Sequence, residues 1–170
     1  DFIQSSEAIA SWRYKIYSYQ NKIIKNLNQS SLQQNIFNYI EDDNFKNINP
    51  FVLKSSSINF WRTDKHIHNG PAMYFVIDKF EGYQIILYIG ETYSADKRWK
   101  GDHDCKSYIK NYKESLNKNQ LESDLDIRFY LDVPKGVNLR RKLEQKLIYL
   151  WLPPFNKETR SRWATTFTNN

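Results

Sequence analysis

A carboxylate on the apolar side of a helix is the residue that most needs a chemical reason. Glu144 has Leu147 and Ile148 at i+3 and i+4, and with Leu139, Leu143 and Trp151 these make one apolar stripe. A charge on or beside such a stripe is costly unless it meets a cation, a metal ion or the wall of a cleft. An arginine or lysine elsewhere in the chain is the plain structural answer. Other groupings carry less. His66 and His68 are spaced for one face of a strand, but no second ligand pair accompanies them, so polar loop histidines are expected rather than zinc ligands. His103, Asp104 and Cys105 are too sparse for a zinc site. Positions two apart on a helix or turn also point apart, so a nucleophilic pair of Cys105 and His103 is not expected. Lys97, Lys100, Lys106 and Lys110 either touch phosphates or face solvent.

The chain has 170 residues and a single cysteine, Cys105, so no intrachain disulfide forms. Its net charge of +6 is concentrated. Lys135, Arg140, Arg141, Lys142, Lys146, Lys157, Arg160 and Arg162 face only Glu144 and Glu158 in the last 36 residues, which accounts for the whole surplus. A field of that kind attracts polyanions, of which nucleic acid is the commonest inside cells. The opening residues, DFIQSSEAIA, lack the basic head and apolar middle of a signal peptide, and no apolar run approaches the ~20 residues of a membrane helix. An intracellular, cytoplasmic chain with no membrane partner is expected.

The elements that must position Glu144 follow from periodicity. Ile9, Trp12, Ile16, Ile23 and Leu27 predict an amphipathic helix with Ser5 or Ser6 as its cap, and a shorter helix is expected over Leu32–Ile40. Residues 41–70 read as polar and irregular, an arm, loop or linker. Ala72–Ile77 and Gln84–Ile89 predict two strands joined by a short glycine-containing connection in an antiparallel hairpin. A helix is expected over Ser94–Tyr112, a third strand over Leu125–Val133, and a last helix capped by Asn138 and stopped by Pro153-Pro154. The fold class is α/β: a small, mainly antiparallel three-stranded sheet flanked by helices. Residues 1–70 form an N-terminal helical extension, and residues 71–170 the core with a basic C-terminal segment.

At this point five elements fall in order. Ala72-Met73-Tyr74 and Tyr88-Ile89-Gly90 on adjacent strands resemble the paired signature of the GIY-YIG nuclease family. Arg98 follows Gly90 by eight residues, as the family's arginine does. Glu144 precedes Asn156 by twelve across a proline-containing turn, the family's spacing for its helical glutamate and its asparagine. The resemblance covers about residues 72–156. Two positions depart from it: Ala72 replaces the first signature glycine, and Asp102 stands where many members carry a histidine or tyrosine, with His103 one residue later.

The resemblance implies a metal-dependent DNA endonuclease that hydrolyses a phosphodiester by water attack, of restriction type or stand-alone. The catalytic set it implies is Tyr74, Tyr88, Arg98, His103, Glu144 and Asn156. Glu144 would hold one Mg²⁺ or Mn²⁺ through oxygen, Arg98 would fork onto the phosphate, and Tyr88 would orient a phosphate oxygen or the water. Tyr74 is the implied general base, although a tyrosine near pKa 10 needs a drop of roughly 2–3 units to act near neutrality. His103, near 6.5, needs almost none and stays as the second candidate. Lys97, Lys100, Arg140, Arg141, Lys157, Arg160 and Arg162 are the expected nucleic-acid contacts, and a homodimer is one way to cut both strands. The rival reading is a non-catalytic nucleic-acid-binding domain with the same fold.

Overall fold

The largely apolar run from Ala72 to Phe80 builds the strand on which everything else is assembled. In the computed structural model, which describes residues 5–34, 44–59, 70–95 and 104–168, this strand is the more deeply buried partner of a hairpin and has apolar side chains on both faces. The sheet is four-stranded and wholly antiparallel: β1 (Ser56–Ser57), β2 (Ala72–Phe80), β3 (Tyr83–Thr92) and β4 (Asp124–Tyr130), in the order β1-β4-β2-β3. The expected count of three is therefore one short. The added strand lies in the stretch read as irregular, where Ser56 and Ser57 pair with Ile127 and Asp126. Its two polar residues carry no period that sequence could reveal.

The hairpin is tighter than its sequence implied. Only Glu81 and Gly82 join β2 to β3, both with positive φ (50° and 79°), which is the two-residue type I′ turn whose twist matches the strands. The strands consequently run past the expected Ile77 and start before Gln84.

Helices cover both faces. On one, α2 (Asp104–Lys118) contributes Ile109, Tyr112 and Leu116 to a core with Tyr74, Val76, Leu87 and Phe155. On the other, α3 (Val137–Trp151) packs Leu147, Ile148 and Trp151 against Met73, Phe75, Ile77, Ile86 and Ile89. The first helix, α1 (Ser6–Gln34), serves both cores: Ile9 and Ile16 enter the first, while Ile23, Ile24 and Leu27 pack on the second. Ser5 caps it, its Oγ accepting from the Ala8 amide at 3.1 Å. The start of the expected Leu32–Ile40 helix belongs to α1, and the rest lies outside the described residues.

Two other boundaries move for local reasons. Ser94 does not start a helix, because its backbone closes a turn on the Thr92 hydroxyl (3.1 Å) and Ala95 donates to the Gly70 carbonyl (3.1 Å). The helix α3 begins from Gly136, whose carbonyl accepts the Arg140 amide at 3.1 Å. Asn138 is thus inside the helix rather than its cap. The end is as expected: Leu152 takes a left-handed conformation (φ 49°) and Pro153-Pro154 follows.

A buried charge cluster locks α1, β2 and α2 together. Asp78 accepts from the Tyr112 hydroxyl, from Ser123 Oγ (2.7 Å) and from the Asp124 amide (3.0 Å), and pairs with Arg13 at 3.5 Å. Arg13 also donates to the Glu122 carbonyl (2.7 Å) and lies 3.8 Å from the centre of the Phe80 ring. Burial pushes the Asp78 carboxyl above its ordinary pKa despite these partners, and burial with Asp78 beside it drives the Tyr112 phenol well up. No described helix is long and apolar enough to cross a membrane.

Candidate active-site cleft at the edge of the sheet

The site is built on β3, which among the described residues is an edge strand and so presents backbone groups with no neighbouring strand on its outer side. A β-bulge decides which groups those are. Val76 pairs with Tyr88 and Ile77 with Ile86, leaving Leu87 as the extra residue. Beyond it the alternation is reset, so Ile89 and Glu91 turn their amides outward and Tyr88 joins the core face that holds Tyr74.

Side chains and one backbone amide then seal that edge. Gln20 of α1 both accepts from the Ile86 amide (2.8 Å) and donates to its carbonyl (3.1 Å). The Phe155 amide donates to the Leu87 carbonyl (3.0 Å). Asn156 grips Ile89 in the same two-handed way, at 2.9 and 2.8 Å. Glu144 Oε2 accepts from the Glu91 amide at 2.7 Å. The left-handed Leu152 and the two prolines turn the chain after α3 back onto β3, which is how Glu144 and Asn156, twelve residues apart, reach neighbouring positions on one strand.

Beside this seam lies a cleft of about 630 Å³. Tyr88, Glu91, Glu144 and Asn156 line it with Tyr108 of α2 and Phe155, and Arg141, Lys157 and Arg160 bring cations to it beside the acids Asp104 and Glu158. Burial pushes the Glu144 carboxyl above the usual glutamate range; the Glu91 amide opposes this, the Glu91 and Glu158 carboxylates add to it, and Gln145 opposes it. A carboxylate so placed is stabilised by an incoming cation. Among the described residues no group of three or more His, Cys, Asp or Glu side chains converges to hold a metal. A hard divalent cation here would have the Glu144 carboxylate oxygen as its protein ligand, with water completing the shell.

The expected residues divide three ways. Tyr88, Glu144 and Asn156 meet at the cleft with Arg141, Lys157 and Arg160. Tyr74 is fully buried, its ring stacked on Tyr88 at 6.0 Å and 30°, and it does not line the cleft. Arg140 is 3% exposed and engaged with Glu91 at 2.6 Å, so it offers nothing to a phosphate. Arg162 sits by the rings of Tyr19 and Trp163, 5.7 and 5.9 Å away, outside the cleft lining. Arg98, His103, Lys97, Lys100, His66 and His68 lie outside the described residues. Sequence reasoning missed Glu91, Tyr108, Gln145 and Glu158. Only Glu91 left a sign, standing directly after the signature glycine.

That glycine has a local cause. Gly90 faces Tyr74 across the hairpin, and a methyl group added there would overlap Cζ and the hydroxyl at the end of the Tyr74 side chain. The ring is walled in and cannot swing away. Gly90→Ala is expected to cost about 1–3 kcal/mol by overpacking, read as a lower denaturant midpoint with unchanged slope. A loss below about 0.5 kcal/mol would mean that the hairpin yields freely at this point.

Comparison of this chain with protein-family models, with curated proteins and with solved structures finds no match in any of the three.

Proposed function

We propose that this chain is a metal-dependent DNA endonuclease of the GIY-YIG kind. One observation supports it above the rest: Tyr88, Glu144 and Asn156 come from a strand, a helix and the turn after that helix to one cleft rimmed by Arg141, Lys157 and Arg160. Chain connectivity alone does not require a carboxylate, a tyrosine and three cations to share a concave surface. Glu144, fixed by the Glu91 amide, would hold the Mg²⁺ or Mn²⁺ ion, which when bound supplies Lewis-acid stabilisation of the leaving oxygen. The cations draw the phosphate backbone into the cleft and hold it. Tyr88 would orient a phosphate oxygen or the attacking water, and the family resemblance gives Arg98 the role of forking onto the scissile phosphate. The two-handed bond of Asn156 to Ile89 keeps Tyr88 in register with the helix that carries Glu144. Supercoiled plasmid incubated with and without Mg²⁺ tests the reading directly: nicked or linear product in the metal-containing arm alone supports it, and intact plasmid in both rejects it.

The burial of Tyr74 bears on the base. A group shielded from the cleft works only through its neighbour, so Tyr88→Phe should lower kcat by about 10² or more and Tyr74→Phe by less. Single-turnover cleavage at saturating DNA reads this. A larger loss for Tyr74→Phe would restore the buried ring as the base, and a larger one still for His103→Ala would give the role to the histidine.

The hydrogen bonds also favour a second reading, since Glu144 and Asn156 both serve the sheet edge as it stands. A non-catalytic nucleic-acid-binding domain would keep DNA affinity and lack metal-dependent cleavage. In either case Lys157 and Arg160 should pair with phosphates. Replacing both by Ala should reduce the slope of log K against log salt by about 1.8, near 0.9 for each phosphate left without its cation. An unchanged slope in a fluorescence-anisotropy titration would place DNA elsewhere on the surface.

A further inference from the structure

We infer that Arg140 is a positioning residue: by gripping the side chain of Glu91 it fixes the Glu91 amide that in turn holds Glu144. The inference rests on the nuclease reading above and adds to it a residue that touches neither substrate nor metal. Arg140 and Glu144 are at i and i+4 of α3, so they lie one above the other on one face. Both meet the same residue of β3. Arg140 Nε donates to Glu91 Oε2 at 2.6 Å, and the Glu91 amide donates to Glu144 Oε2 at 2.7 Å. One turn of one helix thus clamps Glu91 by its side chain and by its backbone.

The clamp sits where it is needed. Glu91 is the penultimate residue of β3, at the edge of the sheet, and an unclamped strand end frays first. Arg140 is itself anchored, with Nη1 donating to the carbonyls of Pro134 (3.3 Å) and Lys135 (2.9 Å) in the loop that leads into α3. A planar guanidinium serves these three acceptors in fixed directions, which a lysine ammonium on a flexible stem does not. Its neighbour Arg141 also pairs with Glu91, at 3.7 Å from Oε1, but its side chain is 67% exposed and so accessible to a phosphate.

The test uses the full chain with Arg140→Met and Arg140→Lys. Amide hydrogen exchange is measured at Glu91 and, as internal references, at Ile86 and Ile89, which Gln20 and Asn156 hold independently. Cleavage of a duplex oligonucleotide is measured at saturating Mg²⁺. In both variants exchange at Glu91 should quicken about tenfold or more while the references hold. The rate constant kcat should fall about tenfold or more, with KM within about twofold. Unchanged exchange at Glu91 overturns the inference. So does uniform acceleration at all three amides, which is loss of general stability, and so does full recovery by Arg140→Lys, which would leave charge alone as the cause. Should Arg140→Met fail to fold, Glu91→Gln, which keeps the amide and removes the ion pair, must show the same selective loss. Absence of metal-dependent cleavage in the parent protein rejects the nuclease reading, and the exchange measurement then decides the positioning role by itself.

Discussion

On the nuclease reading proposed above, Glu144→Gln is expected to abolish metal-dependent cleavage and to leave the fold in place. Glutamine keeps an oxygen that can accept from the Glu91 amide, so the bond at 2.7 Å survives and the sheet edge stays sealed. What disappears is the negative charge that a divalent ion requires. The expected loss in kcat is at least about 10²-fold, equivalent to about 2.7 kcal/mol of transition-state stabilisation. DNA affinity should hold or rise, because one anion leaves a cleft already shared with Glu91 and Glu158. Plasmid cleavage, anisotropy and a thermal melt on the same preparation separate these effects. Activity within about tenfold of the parent would remove Glu144 from the metal-binding role. In the metal-free chain burial holds the Glu144 carboxyl above the ordinary glutamate range, so an incoming cation must displace its proton and metal affinity should weaken as pH falls.

The largest loss of stability is expected at Asp78. Asp78→Ala strips Arg13 of its partner while the guanidinium stays buried, and removing one member of a buried pair costs about 3–5 kcal/mol. For a chain of this length that corresponds to a fall in Tm of about 6–20 °C. Tyr112, Ser123 and the Asp124 amide lose their acceptor at the same time. The pH dependence has a definite sign. Burial raises the folded-state pKa of Asp78, so the folded chain holds its proton to higher pH than the unfolded chain. The contribution of this group to stability is therefore full below the ordinary carboxylate pKa and declines as pH rises through the raised value. Chemical denaturation of the parent and the variant across that interval should give curves that draw closer as pH rises. A drop under about 1 kcal/mol would show that Arg13 finds solvent or the Glu122 carbonyl sufficient.

The framework was legible wherever a period was strong. The alternation from Leu125 predicts β4, although pairing stops at Tyr130 rather than Val133, and the stripe through Ile9 and Ile16 predicts α1. Polar residues buried within those same patterns were not legible. Arg13 and Gln20 sit on the inner stripe of α1, and Asp126 and Arg128 are buried in β4, because each finds a partner distant in sequence. Arg128, for example, donates to the Phe51 carbonyl at 2.6 Å and so ties down the segment that carries β1. At the candidate site, the family resemblance pointed to Tyr88, Glu144 and Asn156, which the fold brings to one cleft. The bulge at Leu87 was hidden, since an extra residue in one strand leaves no trace in a run of isoleucines and leucines. Arg140 was hidden for a related reason: within a basic run, nothing marks the one cation that turns inward.

The sealed edge of β3 also governs how the molecule keeps company with its own kind. An open strand of ten residues, rich in isoleucine, is a template on which another chain can grow by backbone pairing. Here the template is blocked by Gln20, Asn156 and Glu144, and two of those three belong to the candidate cleft. On the nuclease reading, protection of the sheet edge and catalysis would thus share the same side chains. Substitution at either position would then be felt twice, and a chain without the chemistry would still need these residues to cover the strand.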